Sequence, residues 1–404
     1  MKPWQQVSVP QISGRVPAPK VFDSKTQKIQ ELRIAPDVKI YVCGITPYDA
    51  THMGHAATYV FFDTLIRVWK AAGAQVTYVQ NVTDVDDPLI ERAKLLQKDW
   101  QDIADEQTEL FKHDMEALRV IAPDHYIGAV ESIPLVVKQI EKLRQQDAVY
   151  EIGGDLYYPI AKSELSGSIG HFSKDQMIEI FSERGGDPNR IGKLNPLDAL
   201  LWKHERPDDP SWDTPLGKGR PGWHIECAAI ALQYLGDTID VQGGGSDLKF
   251  PHHEMSAAHA QTASGQTFAR AYLHTGMVAL DGQKMSKSLG NLVFVSKLRA
   301  AGVDPMAIRL AILRNHYRTD WEWFQEHLDQ ASVQLNNWRA AFESEKGAPE
   351  VTAQVAQLLA DDLNTPAALE LIDKWVEQTL AGHGSDDDSP KQMSVLIDAL
   401  LGIY

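Results

Sequence analysis

The chain is poor in cysteine, in net positive charge and in long apolar runs, and each shortage excludes something. Only 2 cysteines occur among 404 residues. That is too few for a disulfide framework, so metal ligation or catalysis is the better use for them. No apolar run reaches the roughly 18 residues that a membrane-crossing helix needs, so no membrane span is expected. The N-terminal stretch "MKPWQQVSVPQISGRVPAPK" lacks the apolar block of a signal peptide. It reads as an irregular arm over residues 1–36, and the chain as cytoplasmic. Lys and Arg number 39 against 55 Asp and Glu, for a net charge of −16. Nucleic acid is therefore not expected as a partner, because phosphate contacts dominate such binding and need cations. No G-x-x-x-x-G-K-[ST] phosphate loop, no zinc-finger spacing and no internal repeat occurs.

What is present is ordinary for a globular enzyme: 43% hydrophobic and 23% charged residues. "VKIYV" (38–42) reads as a buried strand. "GHAATYVFFDTLIRVWKAA" (54–72) has helical apolar spacing and stops at Gly73, and "QVTYVQNVT" (75–83) is a second β-rich run. Strand, turn, helix and strand make a βαβ unit. The fold class is thus α/β, with a Rossmann-like parallel sheet and a ligand crevice at the strands' carboxyl ends. Helices are expected over 87–96, 103–118 and 129–145, and a hairpin over 149–160 turning at Gly153-Gly154. Residues 163–221 look loop-rich. The sheet resumes at 237–242 and 271–280, with a helix starting near His253 between them. The catalytic part is placed at 37–300, with a loop-rich insertion near 150–221. A helical region follows over 301–404, broken by "EKGAPE" and "GSDDDSP".

Two short motifs carry chemistry. "HMGH" (His52 to His55) lies between strand and helix, where free N–H groups of a helix N-terminus meet an anion. Alone, the tetrad is better read as a pair of ordinary surface or capping histidines, since short motifs often match by chance. "KMSKS" (284–288) sets Lys284 and Lys287 among hydroxyls and small residues, as a loop closing on triphosphate would. Those lysines would neutralise charge developing on a pyrophosphate leaving group; a solvated lysine loop is the plainer reading. Cys43, Cys227 in "PGWHIECAA" and His252 in "FPHHE" offer the soft donors that Zn²⁺ prefers. Buried cysteines that merely fill space are the commoner case.

In this order, "HMGH" and "KMSKS" resemble the paired signatures of the class I aminoacyl-tRNA synthetases, which activate an amino acid with ATP to an aminoacyl-AMP. The resemblance implies catalytic roles for His52, His55, Lys284 and Lys287, and ATP with Mg²⁺ as co-substrate. "YVCGITPYD", "PGWHIECAA" and "FPHHE" are similar to the cysteinyl branch, where Cys, Cys, His and Glu bind zinc. Carried over, one Zn²⁺ per chain is held by Cys43, Cys227 and His252. The glutamate's position is Ser256 here, which leaves one coordination place for the thiolate of substrate cysteine. By the same resemblance the substrate and adenylate contacts are Cys43, Gly44, Ile45, Thr46, Thr58, Asn81, Val82, Thr83, Trp223, Gly245, Ser246, Asp247 and Val278.

The acceptor is a separate question. "LADDLNTPAALELID" (359–373) is also similar to the synthetases, yet the chain reaches Tyr404 without an anticodon-binding module. "SERGGDPNR" (182–190), with "GITPYDATH" and "NVTDVDDPL", resembles the cysteine ligases of mycothiol biosynthesis, paralogues of the synthetase. That implies ligation of cysteine to the amine of glucosaminyl-inositol through cysteinyl-AMP, releasing AMP and pyrophosphate. Glu183, Arg184 and Asp187 become candidates for contacting the amino sugar, and Asp84, Asp86 and Asp87 are suspects for the base. The alternative is a cysteinyl-tRNA synthetase with a shortened C-terminus.

Overall fold

The structure, a computed structural model, describes residues 1–12, 14–48, 51–285 and 290–404. Its centre is a parallel sheet of β1 (Val38–Val42), β2 (Val76–Val82), β3 (His125–Gly128), β4 (Ile239–Gly245) and β5 (Ala269–Thr275). The spatial order is β5-β4-β1-β2-β3. The order reverses between β1 and β4, so the carboxyl ends of those strands diverge into a crevice. Cys43 N donates to the Gly243 carbonyl at 3.0 Å and Thr83 N to the Ile45 carbonyl at 2.9 Å, which stitches the crevice floor together.

Helix α1 (Met53–Ala71) leaves the crevice directly after β1 and is buried along most of its length. Its N-cap is His52, whose side chain accepts from Gly54 N at 3.1 Å. A helix over Asp87–Leu96 is observed with the expected bounds, capped by Asp86. Two further helices, α2 (Trp223–Leu235) and α3 (Glu254–Ser264), pack on each other, and α2 lies against β2 and β1.

Three expectations need correcting. The arm is not irregular throughout: Lys20–Asp23 pairs antiparallel with Lys28–Glu31, and Asp23 Oδ1 accepts from Tyr272 N in β5 at 2.8 Å. The run 271–280 is two strands, β5 and Val278–Leu280, because Gly276 N donates to the Tyr317 carbonyl at 2.7 Å and turns the chain away. The insertion holds more order than its loops suggest. The expected hairpin, Tyr150–Ile152 with Asp155–Tyr158, is joined by Ala199–His204 and Gly219–Pro221 in one antiparallel sheet, and a helix forms at Lys174–Glu183.

From residue 305 onward come α4 (Pro305–Leu313), α5 (Gln325–Phe342), α6 (Thr352–Ala360), α7 (Thr365–Leu380) and α8 (Ser389–Leu401). Their apolar faces share one continuous core with α1. Inside that core Asp63 of α1 accepts from Arg67 Nε at 2.7 Å and from Arg309 of α4, and all three are fully buried. Arg67 also donates to the Asp398 carbonyl at 3.0 Å, and Arg309 to that of Leu401 at 2.6 Å. Burial alone would raise the Asp63 carboxyl, but the two guanidiniums hold it below its usual range. Among the described residues no helix is long and apolar enough to cross a membrane.

Candidate active site and metal centre

The crevice at the carboxyl ends of β1 and β4 is a cavity of about 480 Å³. Cys43, Gly44, Ile45 and Thr46 form one wall as the chain leaves β1. His52, His55 and Thr58 come from the start of α1, Trp223 from the start of α2, and Gly245, Asp247 and Val278 from the opposite side. The His52 and His55 rings stack with centroids 3.8 Å apart, at the positive end of α1. Thr58 Oγ1 lies 2.9 Å from Thr275 Oγ1 at the end of β5.

Asn81, Val82, Thr83 and Ser246 do not line this cavity. Asn81 works from behind it: its Oδ1 accepts from Gly44 N at 2.8 Å, and its Nδ2 donates to Thr83 Oγ1 at 3.2 Å. A Cβ at Gly44 would lie 1.6 Å from the Asn81 carbonyl oxygen, so only glycine lets β1 and β2 close here. Lys287 lies outside the described residues, as does the side chain of Lys284, whose backbone ends a short strand at Gln283–Lys284.

At Cys43, which lines the cavity, Cys227 and His252 converge with it, all buried, with ligand atoms within 4.8 Å of one another. The two Sγ atoms are 3.9 Å apart, and His252 Nε2 is 3.2 Å from Cys227 Sγ. Burial pushes the Cys43 thiol up. Burial opposes ionisation at Cys227 as well, but Cys43 and the His252 imidazole draw it well below its usual range. A thiolate between a thiol and an imidazole is a donor set that could hold a metal ion. Trp223 stacks on the His252 ring with centroids 4.3 Å apart. Ser256 is not among the converging donors; its hydroxyl accepts from Gln242 Nε2 at 2.9 Å.

A second cavity, of about 780 Å³, shares Thr46, Tyr48, Trp223, Asp247 and Leu248 with the first. Its far wall is the antiparallel sheet of the insertion, through Asp155, Tyr157, Lys203 and Arg220, and its near wall includes Asp86 and Asp87. Glu183, Arg184 and Asp187 all line it, but their side chains differ in freedom. The Arg184 guanidinium donates to the carbonyls of Asp247 and Phe250, so it pins the segment that carries His252. Asp187 accepts from Tyr157 Oη at 2.5 Å and Lys193 Nζ at 2.9 Å. Glu183 is exposed. Of the acidic trio near β2, Asp84 accepts from Val130 N at 2.9 Å and faces away, while Asp86 and Asp87 face the cavity. Burial pushes the Asp86 carboxyl up to about 6.

Sequence reading missed His224, whose Nδ1 lies 3.2 Å from His252 Nδ1, and His253, whose Nε2 lies 3.2 Å from Cys43 Sγ. The doublet in "FPHHE" could have flagged His253. Tyr157, Lys203 and Arg220 carry no motif and enter the site only through the fold.

Comparison with known proteins adds the following. The family described as "tRNA synthetases class I (C) catalytic domain" matches residues 29–333. The L-cysteine:1D-myo-inositol 2-amino-2-deoxy-alpha-D-glucopyranoside ligase of Thermomonospora curvata is 55% identical over 412 aligned residues, covering 100% of both chains. Its counterpart in Acidothermus cellulolyticus is 53% identical, again over 100% of both. Among solved structures, Mycobacterium tuberculosis methionyl-tRNA synthetase with methionyl-adenylate superposes with a TM-score of 0.63 at 15% identity. It covers 91% of this chain and 92% of its own. That likeness concerns the fold alone.

Proposed function

Because the chain belongs to the class I (C) tRNA synthetase family, and within it to the L-cysteine:1D-myo-inositol 2-amino-2-deoxy-alpha-D-glucopyranoside ligases, we propose that it joins cysteine to the amine of that amino sugar at the expense of ATP. The observation that carries this reading is the joining of the two cavities at Trp223, Asp247 and Thr46. One takes nucleotide and cysteine; the other is sized and lined for a polar small molecule.

In the first step a carboxylate oxygen of cysteine attacks the α-phosphorus of ATP. The bond to pyrophosphate breaks, leaving cysteinyl-AMP. We assign His52 and His55, at the N-terminus of α1, to phosphate oxygens, and, on the sequence motif, Lys284 and Lys287 to the leaving pyrophosphate. ATP brings Mg²⁺. In the second step the neutral amine attacks the cysteinyl carbonyl, the bond to AMP breaks, and an amide forms. The nitrogen's proton leaves toward the acceptor cavity, whose wall holds Asp86 and Asp87. A reaction fed by ATP and free cysteine suits the cytoplasm.

We assign zinc to Cys43, Cys227 and His252. Tetrahedral zinc with Zn–S bonds of about 2.3 Å sets its sulfurs roughly 3.8 Å apart, and the two Sγ atoms here are separated by 3.9 Å. When bound, zinc supplies a soft Lewis acid that prefers a thiolate to a hydroxyl, and so selects cysteine over serine.

The test is AMP release with ATP and cysteine, with and without glucosaminyl-inositol. Stimulation by the amino sugar is the expected result. Stimulation by tRNA in its place would overturn the acceptor assignment. A second expectation concerns the cavity wall. Gly44→Ala must push β1 from β2, and a displacement near 1 Å at a reacting centre costs about 100-fold. Cysteine-dependent ATP–pyrophosphate exchange should fall by about that factor while the circular dichroism spectrum is retained; full exchange activity would show that Gly44 is not packed as described.

A further inference from the structure

Beyond the three converging donors, a line of polar side chains runs from the metal centre to the N-terminal hairpin. Ser24 Oγ lies 2.7 Å from His274 Nδ1, His274 Nε2 lies 2.8 Å from His253 Nδ1, and His253 Nε2 lies 3.2 Å from Cys43 Sγ. All four residues are buried. They come from four separate places: the turn after Asp23, the end of β5, the start of α3 and the end of β1.

A neutral imidazole has one N–H and one bare nitrogen, so each link restricts the next. As a metal ligand Cys43 is a thiolate, unlike the thiol of the metal-free site, and has only acceptor sites, which assigns the proton of His253 to Nε2. His253 Nδ1 is then bare and must accept, so His274 carries its proton on Nε2. His274 Nδ1 is bare in turn, and the Ser24 hydroxyl is the donor that satisfies it. The whole chain therefore points one way, from Ser24 through both imidazoles to sulfur.

We propose that Ser24, His274 and His253 are positioning residues that deliver a directed hydrogen bond to the Cys43 sulfur and thereby hold it as a metal ligand of tempered charge. This rests on the assignment of zinc to Cys43, Cys227 and His252. A thiolate that accepts a hydrogen bond gives less charge to the metal, which leaves the metal a stronger acceptor for another thiolate. Second-shell partners of this kind are commonly worth about 10–100-fold in metal affinity.

The experiment uses the full chain loaded with one equivalent of zinc, then with Co²⁺. Ser24→Ala removes only the terminal hydroxyl, His274→Phe breaks the chain in its middle, and Ser24→Thr restores a hydroxyl. Chelator competition should show metal loosened about tenfold by Ser24→Ala and more by His274→Phe, with Ser24→Thr near the parent. The thiolate-to-Co²⁺ absorption band should move to lower energy in His274→Phe, as the sulfur regains charge. The ¹⁵N resonances of His253 and His274 should show both as Nε2-protonated in the loaded parent and His274 disturbed in Ser24→Ala. A Nδ1-protonated imidazole at either position, or variants that match the parent in affinity and spectrum, would overturn the proposal while leaving the zinc assignment standing. A parent that retains no zinc and gives no thiolate-to-Co²⁺ band would overturn both.

Discussion

Cys227→Ser is expected to cost the chain its metal and, with it, the ability to favour cysteine. The substitution removes one atom type at a position 3.9 Å from Cys43 Sγ and 3.2 Å from His252 Nε2. Serine fits the space and leaves α2 intact, since the side chain contributes nothing to the helix's own hydrogen bonds. A hydroxyl is a poor ligand for a soft cation, and its proton does not leave near neutral pH. Removing a direct ligand should exceed the roughly 10–100-fold cost of removing an outer-shell partner. We therefore expect bound zinc to fall well below one per chain. The kcat/KM for cysteine in ATP–pyrophosphate exchange should drop by more than about 100-fold. Exchange with serine should change little, so the preference between the two collapses. Metal analysis with paired exchange assays checks this, and an unaltered preference would sink the metal's assigned role.

Asp63→Asn is expected to be the most destabilising single isosteric change in the core. Asp63 sits fully buried between Arg67 and Arg309, also fully buried, and its Oδ1 accepts from Ile121 N at 2.8 Å. Asparagine can keep the bond from Ile121. It cannot balance two guanidiniums, and burial, with Arg67 nearby, already pulls the Arg309 guanidinium down to about 10 even with Asp63 in place. Breaking a buried ionic group by neutralising one member costs about 3–5 kcal/mol. A thermal scan should register this as a fall in Tm of at least about 5 °C. A loss below about 1 kcal/mol would mean that the arginines are held by their carbonyl partners alone. Because Arg309 belongs to α4 and Arg67 reaches the Asp398 carbonyl on α8, the damage should spread to the C-terminal helices. Trp338 and Trp375, buried among those helices, report it by fluorescence.

The sequence was legible where local chemistry and burial agree. The α1 helix and the helix at Asp87–Leu96 have periodic apolar faces and caps at His52 and Asp86, and their bounds were readable to within a residue. The β1 and β2 strands, "VKIYV" and "VTYVQNV", are rich in β-branched and aromatic residues. By contrast α2 gives no helical period, because Ile225 through Ala231 are buried on every side. β3 is four residues long, too short to stand out from the loop around it. Of the insertion sheet the hairpin over 149–160 was legible, while Ala199–His204 and Gly219–Pro221 were hidden by the long charged loops that separate them from it. At the site the motifs gave the residue types, and the spacing of Cys43, Cys227 and His252 told nothing of their convergence. That depends on β1, α2 and the stretch before α3 meeting at one sheet end. Arg184 lines the second cavity, but its clamp on two carbonyls could not be read from the motif.

Trp223 belongs to the walls of both cavities and lies flat on the His252 ring. A mixed anhydride such as cysteinyl-AMP is perishable in water, and many enzymes that make one must hand it to a mobile carrier or let it go. With the proposed donor and acceptor chambers meeting at Trp223, Thr46, Tyr48, Asp247 and Leu248, the activated acyl group would have no journey to make. The amine comes to it. Fidelity then becomes a matter of timing as much as of fit, because an adenylate that waits behind an empty acceptor chamber is exposed to hydrolysis for as long as the amino sugar is scarce. Wasted ATP should therefore track the emptiness of the acceptor chamber, and the supply of amino sugar would set the efficiency of the whole reaction.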